Sequence, residues 1–179
     1  MLASNTLEPI LTCFNGKKLI LDQVYWETKR HPLDGSDCSN YLNELAITNV
    51  IEKISITADK KALELFLELG ESLGDGEAAV IAYAAVTLGD LLVVLDEKKA
   101  RRICQEKFPN LQMLCSVDLF QHYLIQCQPN REKFRQVLYD AMTKGRMRVF
   151  EAKHDKWVRQ ILGKDLISHC RSLKQTVRE

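Results

Sequence analysis

The chain has 179 residues, a mass of 20.5 kDa and a 46% hydrophobic composition, enough apolar material for one packed domain with an appendage. Its net charge of +1 excludes any overall electrostatic bias toward nucleic acid or membrane, and its longest aliphatic run, Leu91 to Leu95, is too short to span a bilayer. The charge is unevenly placed: residues 1–130 hold 12 basic and 18 acidic side chains, net −6, and residues 131–179 hold 13 and 6, net +7. A basic tail on an acidic body suits a metal-dependent enzyme acting on a polyanion, and equally suits a solvated basic helix.

The first element in chain order is a helix, because Leu7, Ile10, Leu11 and Phe14 share one face until Asn15-Gly16 ends it. Lys18 to Leu21 reads as a short buried strand, and Val24 to Arg30 as a helix stopped by His31-Pro32. Residues 33–44 are polar and predict a surface loop, with a helical turn around Tyr41 to Leu45. A second strand is predicted at Ile51 to Thr57 and a helix at Ala58 to Ser72. Gly74-Asp75-Gly76-Glu77 opens an alanine-rich helix that runs to Leu88, and Leu91 to Leu95 has the continuous apolar character of a parallel strand covered on both faces. A basic helix follows at Lys98 to Lys107, then a strand within Leu111 to Val117 and a helix from Val117 to Gln126. Amphipathic helices at Phe134 to Thr143, Trp157 to Leu162 and Leu166 to Leu173, broken at Gly145 and Gly163, form the tail. Strands alternating with helices predict an α/β fold with a mainly parallel central sheet, a domain at 1–125 and a basic helical extension at 126–179.

Six cysteines stand at 13, 38, 104, 115, 127 and 170 with no C-x-x-C pair and no secretory leader ahead of them, so a reduced, cytoplasmic protein is expected. Cys13, Cys104 and Cys115 lie in apolar segments and read as small core residues. His154 and His169, in the basic tail, are expected to face solvent rather than ligate metal.

Sites in open α/β sheets form beyond the carboxyl ends of the strands. The side chains found there are acidic: Glu27 after the first strand, Asp75 and Glu77 at the start of the alanine-rich helix, and Asp96 and Glu97 after the aliphatic strand. Converging carboxylates repel unless a cation neutralises them, so a shared site implies Mg²⁺ or Mn²⁺ and a raised pKa on at least one acid in the metal-free protein. Each residue also has an ordinary structural use. Asp75 could be an N-cap and Glu77 a first-turn acid, Asp96 could cap the helix at Lys98, Glu97 could pair with Arg101, and Glu27 could pair with Arg30.

Four stretches in order resemble the PIN domain, particularly its bacterial and archaeal toxin-like (VapC-like) members. Leu2 to Leu11 is similar to the helix after the family's first strand, and Leu19 to Glu27 carries the "V-x-x-E" helix at Val24 and Glu27. Leu73-Gly74-Asp75-Gly76-Glu77-Ala78-Ala79-Val80-Ile81-Ala82 is similar to "L-x-D-G-E-A-x-A-I-A", and Asp96-Glu97-Lys98-Lys99-Ala100-Arg101 resembles "D-D/E-x-K-A-R". The resemblance implies a PIN-like three-layer fold and a Mg²⁺- or Mn²⁺-dependent ribonuclease whose catalytic carboxylates are Glu27, Asp75, Glu77 and Asp96, with Glu97 a further metal ligand. It also implies an RNA substrate, an antitoxin partner and a homodimer, with no membrane association. The family opens with a strand ending in an aspartate, which this sequence does not show ahead of its first helix; one ligand is expected to be missing and the chain alone to cleave little. The competing expectations are a catalytically dead PIN-like module that binds RNA or protein, and a small-molecule-binding α/β domain.

Overall fold

The computed structural model describes residues 5–31, 33–87, 89, 91–170 and 173. In chain order its elements are α1 (Leu7–Thr12), β1 (Leu19–Leu21), α2 (Asp22–Thr28), α3 (Ser39–Ile47), β2 (Glu52–Ile54), a 3-10 turn (Ile56–Ala58), α4 (Lys60–Gly70), α5 (Asp75–Val86), β3 (Leu92–Val94), α6 (Lys98–Lys107), β4 (Gln112–Leu114), α7 (Ser116–Cys127), α8 (Arg131–Thr143) and α9 (Ala152–Ile167). The fold is α/β with parallel strands and a helical carboxyl-terminal segment, as the periodicities predict. Among the described residues no helix is long and apolar enough to cross a membrane. The chain forms two compact units, one of residues 16–30 and 36–115, the other of residues 1–15, 31–35 and 116–179.

The first unit contains all four strands. β1 pairs with β2 in parallel, Ile20 opposite Lys53, and β3 pairs with β4 in parallel, Val93 opposite Met113. The helices that connect each pair are the crossovers that parallel strands require. The core is aliphatic and small: Leu21, Ile56, Ala62, Leu69, Ala78, Ala79, Ile81, Ala82, Val93, Leu95 and Ala100 are all buried. α5 packs against α4, β1 and β3, and its alanines allow the close approach. Asp59 starts α4 by accepting hydrogen bonds from the main-chain N–H groups of Lys61 (2.8 Å) and Ala62 (3.0 Å).

Two expectations are corrected here. The helical turn expected around Tyr41 to Leu45 extends to a full helix, Ser39–Ile47, within what reads as a polar surface loop. Cys38, Leu42 and Leu45 are buried at i, i+4, i+7 spacing beneath Ser39, Asn40, Asn43 and Glu44, whose polarity hides the stripe. The aliphatic strand is covered on one face only, with Val93 (4% exposed) and Leu95 (2%) inside and Leu92 (53%) and Val94 (40%) outside. The physical reason is that Val93 and Leu95 join the core cluster that contains the α5 alanines, while among the described residues Leu92 and Val94 on the other face lie outside that buried cluster.

The second unit is helical. Phe120, Phe134, Leu138, Val158 and Leu162 form its core, with Phe134 in edge-to-face contact with Phe120 and Trp157. The backbone of α9 breaks at Gly163, where φ is +73°. The carbonyl of Leu162, exposed by that break, accepts from Arg135 Nε at 2.8 Å and Nη2 at 2.6 Å, and the same guanidinium pairs with Asp165. Several other tail cations are also engaged, Lys144 with Asp140, Lys153 with Glu151 and Arg159 with Asp155. Of the predicted segment Leu166 to Leu173, Arg171 and Ser172 lie outside the described residues.

His154 does not face solvent: it is 1% exposed, and its Nε2 lies 2.8 Å from Asp118 Oδ1, so a carboxylate satisfies the ring in the helical core. His169 is exposed, as expected. Cys13 and Cys127 are joined by a disulfide between the ends of α1 and α7, which departs from the expectation of six reduced thiols, while Cys104 and Cys115 are buried as free thiols. The two ends of these helices also meet through Phe14 stacked on His122 at 4.1 Å, and bring Cys13 and Cys127 together across 114 residues of sequence.

Candidate metal centre

Glu27 lies near the end of α2, which begins directly after β1. Its Oε1 accepts a 3.0 Å hydrogen bond from the main-chain N–H of Gly76, the second residue of α5. The first N–H groups of a helix have no partner within it, and that end carries partial positive charge, so a carboxylate from another element is well placed there. α5 is otherwise uncapped by side chains, since its N-cap residue is Gly74.

The two glycines of the Gly74-Asp75-Gly76-Glu77 segment have different steric roles. A Cβ at Gly76 would stand 2.5 Å from Glu27 Oε2, and its nearest neighbours would all be atoms of the Glu27 carboxylate. Gly76 therefore leaves room for Glu27 to reach the main chain. A Cβ at Gly74 would stand 2.8 Å from Glu77 Oε2, because Glu77 folds back over the start of its own helix. Asp75, between these glycines, is exposed.

Burial pushes the Glu27 carboxyl above its ordinary value, the Gly76 hydrogen bond opposes that shift, and the negative charges of Glu77 and Asp75 add to it. The structure thus brings Glu27, Asp75 and Glu77 together electrostatically around the start of α5. Asp96 and Glu97 occupy a different element. Pairing of β3 with β4 continues through the Leu95 N–H to the Leu114 carbonyl at 3.0 Å; Asp96 is the next residue, exposed, and Glu97 is the N-cap of α6. Below them Arg101 donates from Nη1 to the carbonyls of Leu95 (3.2 Å) and Leu114 (3.1 Å), tying the two strand ends together. Lys99, two residues earlier, donates to the carbonyl of Ser72 and so holds the loop that leads into Gly74. Among the described residues, no three of these five acids bring their oxygens within 4.8 Å of one another.

The side-chain oxygens of Glu27, Asp75 and Glu77 near the start of α5 are of the hard type that Mg²⁺ or Mn²⁺ takes, and a divalent cation there would offset the smaller, repulsive part of the Glu27 shift, the larger part being burial. Sequence reasoning missed Asp22. It follows β1, accepts the Ser55 hydroxyl at 2.7 Å on Oδ2, and receives its neighbour Gln23 N–H at 3.1 Å on Oδ1. Asp22 therefore ties the end of β1 to the segment after β2. Its position as the first acid after a strand was the available signal.

A family model described as a PIN domain matches residues 2–160. Among curated proteins and solved structures no match to the chain was found.

Proposed function

This chain belongs to the PIN-domain family, and from that membership and the carboxylates at the start of α5 we propose that it is a Mg²⁺- or Mn²⁺-dependent ribonuclease that hydrolyses RNA phosphodiesters. The observation that carries the reading is the reach of Glu27 from α2 to the Gly76 N–H, beside Asp75 and Glu77. Asp75 and Glu77 share the first turn of α5, and Glu27 reaches that helix end from α2. A bound divalent ion would supply Lewis acidity toward the phosphate and offset the charge that develops on it. Glu27, Asp75 and Glu77 would hold that ion, with Asp96 and Glu97 contributing from the start of α6. In the reaction, a water oxygen attacks phosphorus in line with the departing oxygen, and a carboxylate accepts the water proton as the P–O bond breaks.

The toxin-like assignment, with an antitoxin partner and a homodimer, is part of the same proposal and rests on the likeness of the motifs to those members. The two strand pairs, β2-β1 and β3-β4, support a further element of it: a parallel strand ending in an aspartate, laid between β1 and β3, would join them and add a carboxylate. The same unjoined pairs favour the second reading, a PIN-like module that binds RNA or protein without cleaving it.

The test is cleavage of a single-stranded RNA with Mn²⁺ or Mg²⁺, with and without EDTA, by this chain and by a form with such a strand joined ahead of α1. Slow cleavage by the chain, raised at least tenfold in the joined form and abolished by EDTA and by Asp75→Asn, supports the nuclease. RNA binding with no metal-dependent cleavage in either form supports the second reading.

A further inference from the structure

The carboxylates of the candidate centre repel RNA, so a substrate needs attraction from elsewhere on the same unit. α2 offers it one residue before Glu27. Trp26 is 62% exposed, although burying an indole is favourable and its neighbour Tyr25 is buried. Two ammonium groups lie over these rings. Lys29, which caps the carboxyl end of α2, has its Nζ 3.3 Å from the Trp26 ring centroid. Lys53, on β2, has its Nζ 3.9 Å from the Tyr25 centroid and 5.9 Å from that of Trp26. Tyr25 stands edge-on to Trp26 at 88°, and its hydroxyl donates to Asn43 Oδ1 at 2.7 Å, which fixes the base of the cluster. Among the described residues, the other exposed large apolar side chains in this unit, Ile47, Leu67, Leu92 and Val94, are aliphatic and cannot stack on a base.

We propose that Trp26, Lys29 and Lys53 form a platform for single-stranded RNA, in which an unpaired base stacks on the indole and the two lysines take the flanking phosphates. With Lys29 Nζ over one face of the indole, a base would stack on the opposite face, so the exposed ring and its cations match the two features a single strand presents, a free base face and a charged backbone, whereas a duplex hides the first. Trp26 and Glu27 are consecutive in α2, so the platform would hold the strand on the same helix that carries one of the acids. The inference rests on the nuclease reading for its substrate but is tested separately from it.

The experiment is fluorescence anisotropy of a labelled single-stranded oligoribonucleotide and its duplex form, in EDTA so that metal-dependent cleavage is off. The single strand is expected to bind more tightly than the duplex. Trp26→Ala should weaken single-strand binding about tenfold and Trp26→Phe much less, since stacking survives in the smaller ring. Lys29→Ala/Lys53→Ala should lower the slope of log affinity against log salt by about 1.4, from two lost phosphate contacts. Circular dichroism melts of each variant confirm the fold. Single-strand binding unchanged in Trp26→Ala and in the double lysine variant, or equal binding of duplex and single strand, overturns the platform. Cleavage assays separate the two readings. If Asp75→Asn abolishes cleavage while Trp26→Ala leaves binding intact, the platform falls and the nuclease stands; if binding follows Trp26 but no metal-dependent cleavage occurs, the nuclease falls and the platform stands.

Discussion

Gly76→Ala tests the site through a single methyl group. Gly76 has an ordinary helical backbone within α5, so alanine is allowed conformationally and gains up to about 1 kcal/mol of helix propensity. The cost falls on Glu27. The new Cβ would lie 2.5 Å from Oε2, where ordinary contact begins at 3.4 Å, so the carboxylate must retreat by 3.4 − 2.5 = 0.9 Å. A retreat of that size stretches the 3.0 Å bond from the Gly76 N–H beyond hydrogen-bond range. Losing a hydrogen bond to a charged group costs about 1.5–3 kcal/mol, so after the propensity gain, and with Glu27 partly in water, a net loss of about 1 kcal/mol remains. For a chain of this size that lowers Tm by about 2–4 °C. Function should suffer far more, since a ligand misplaced by about 1 Å costs on the order of a hundredfold. The assay pairs thermal melts with Mn²⁺ binding by water-proton relaxation and with RNA cleavage in the joined form. Gly76→Ala that binds Mn²⁺ and cleaves within twofold of the unsubstituted protein would refute the steric account of this motif.

Glu27→Gln should raise Tm slightly at pH 7 in metal-free buffer. An acid whose folded pKa is raised above its ordinary 4.5 leaves stability intact below that value and removes it as pH rises through the folded pKa, so the variant's advantage should vanish near pH 4. With saturating Mn²⁺ the order should reverse, because only the unsubstituted protein gains the full stabilisation of the bound ion; a lower Tm for Glu27→Gln at pH 7 without metal would contradict this. Mn²⁺ affinity should itself fall on acidification at a higher pH than for an ordinary carboxylate, as binding requires Glu27 ionised. Asp22→Ala, which removes the acceptor for Ser55, should cost about 1–2 kcal/mol, seen as a Tm drop of several degrees, without changing Mn²⁺ affinity.

The sequence made most elements legible because their apolar spacing is strong. β1, β3, α5 and α6 lie close to where periodicity places them. α3 was legible only as a turn around Tyr41 to Leu45, because three buried side chains at Cys38, Leu42 and Leu45 are outnumbered by polar neighbours facing water. The one-sided burial of β3 was hidden for a different reason: a run of aliphatic residues does not reveal whether one face or both will be covered. His154 was misread because tail composition says nothing of a partner 36 residues away, and Asp118 supplies it. At the candidate site, the residue types and order of Glu27, Asp75 and Glu77 could be read directly. What could not be read is why two glycines flank Asp75: they leave space for carboxylates arriving from α2 and from within α5, a matter of tertiary packing. The exposed Trp26 between two lysines likewise depends on Lys53, brought across by the pairing of β1 with β2.

The most direct measurement of the central claim is anomalous diffraction from crystals of this chain soaked in Mn²⁺. The account predicts a Mn²⁺ peak contacting Glu27 and at least one of Asp75 and Glu77 at the start of α5, lost in Glu27→Gln. A structure in which Mn²⁺ at saturating concentration leaves these carboxylates uncontacted, or binds only elsewhere, would contradict it.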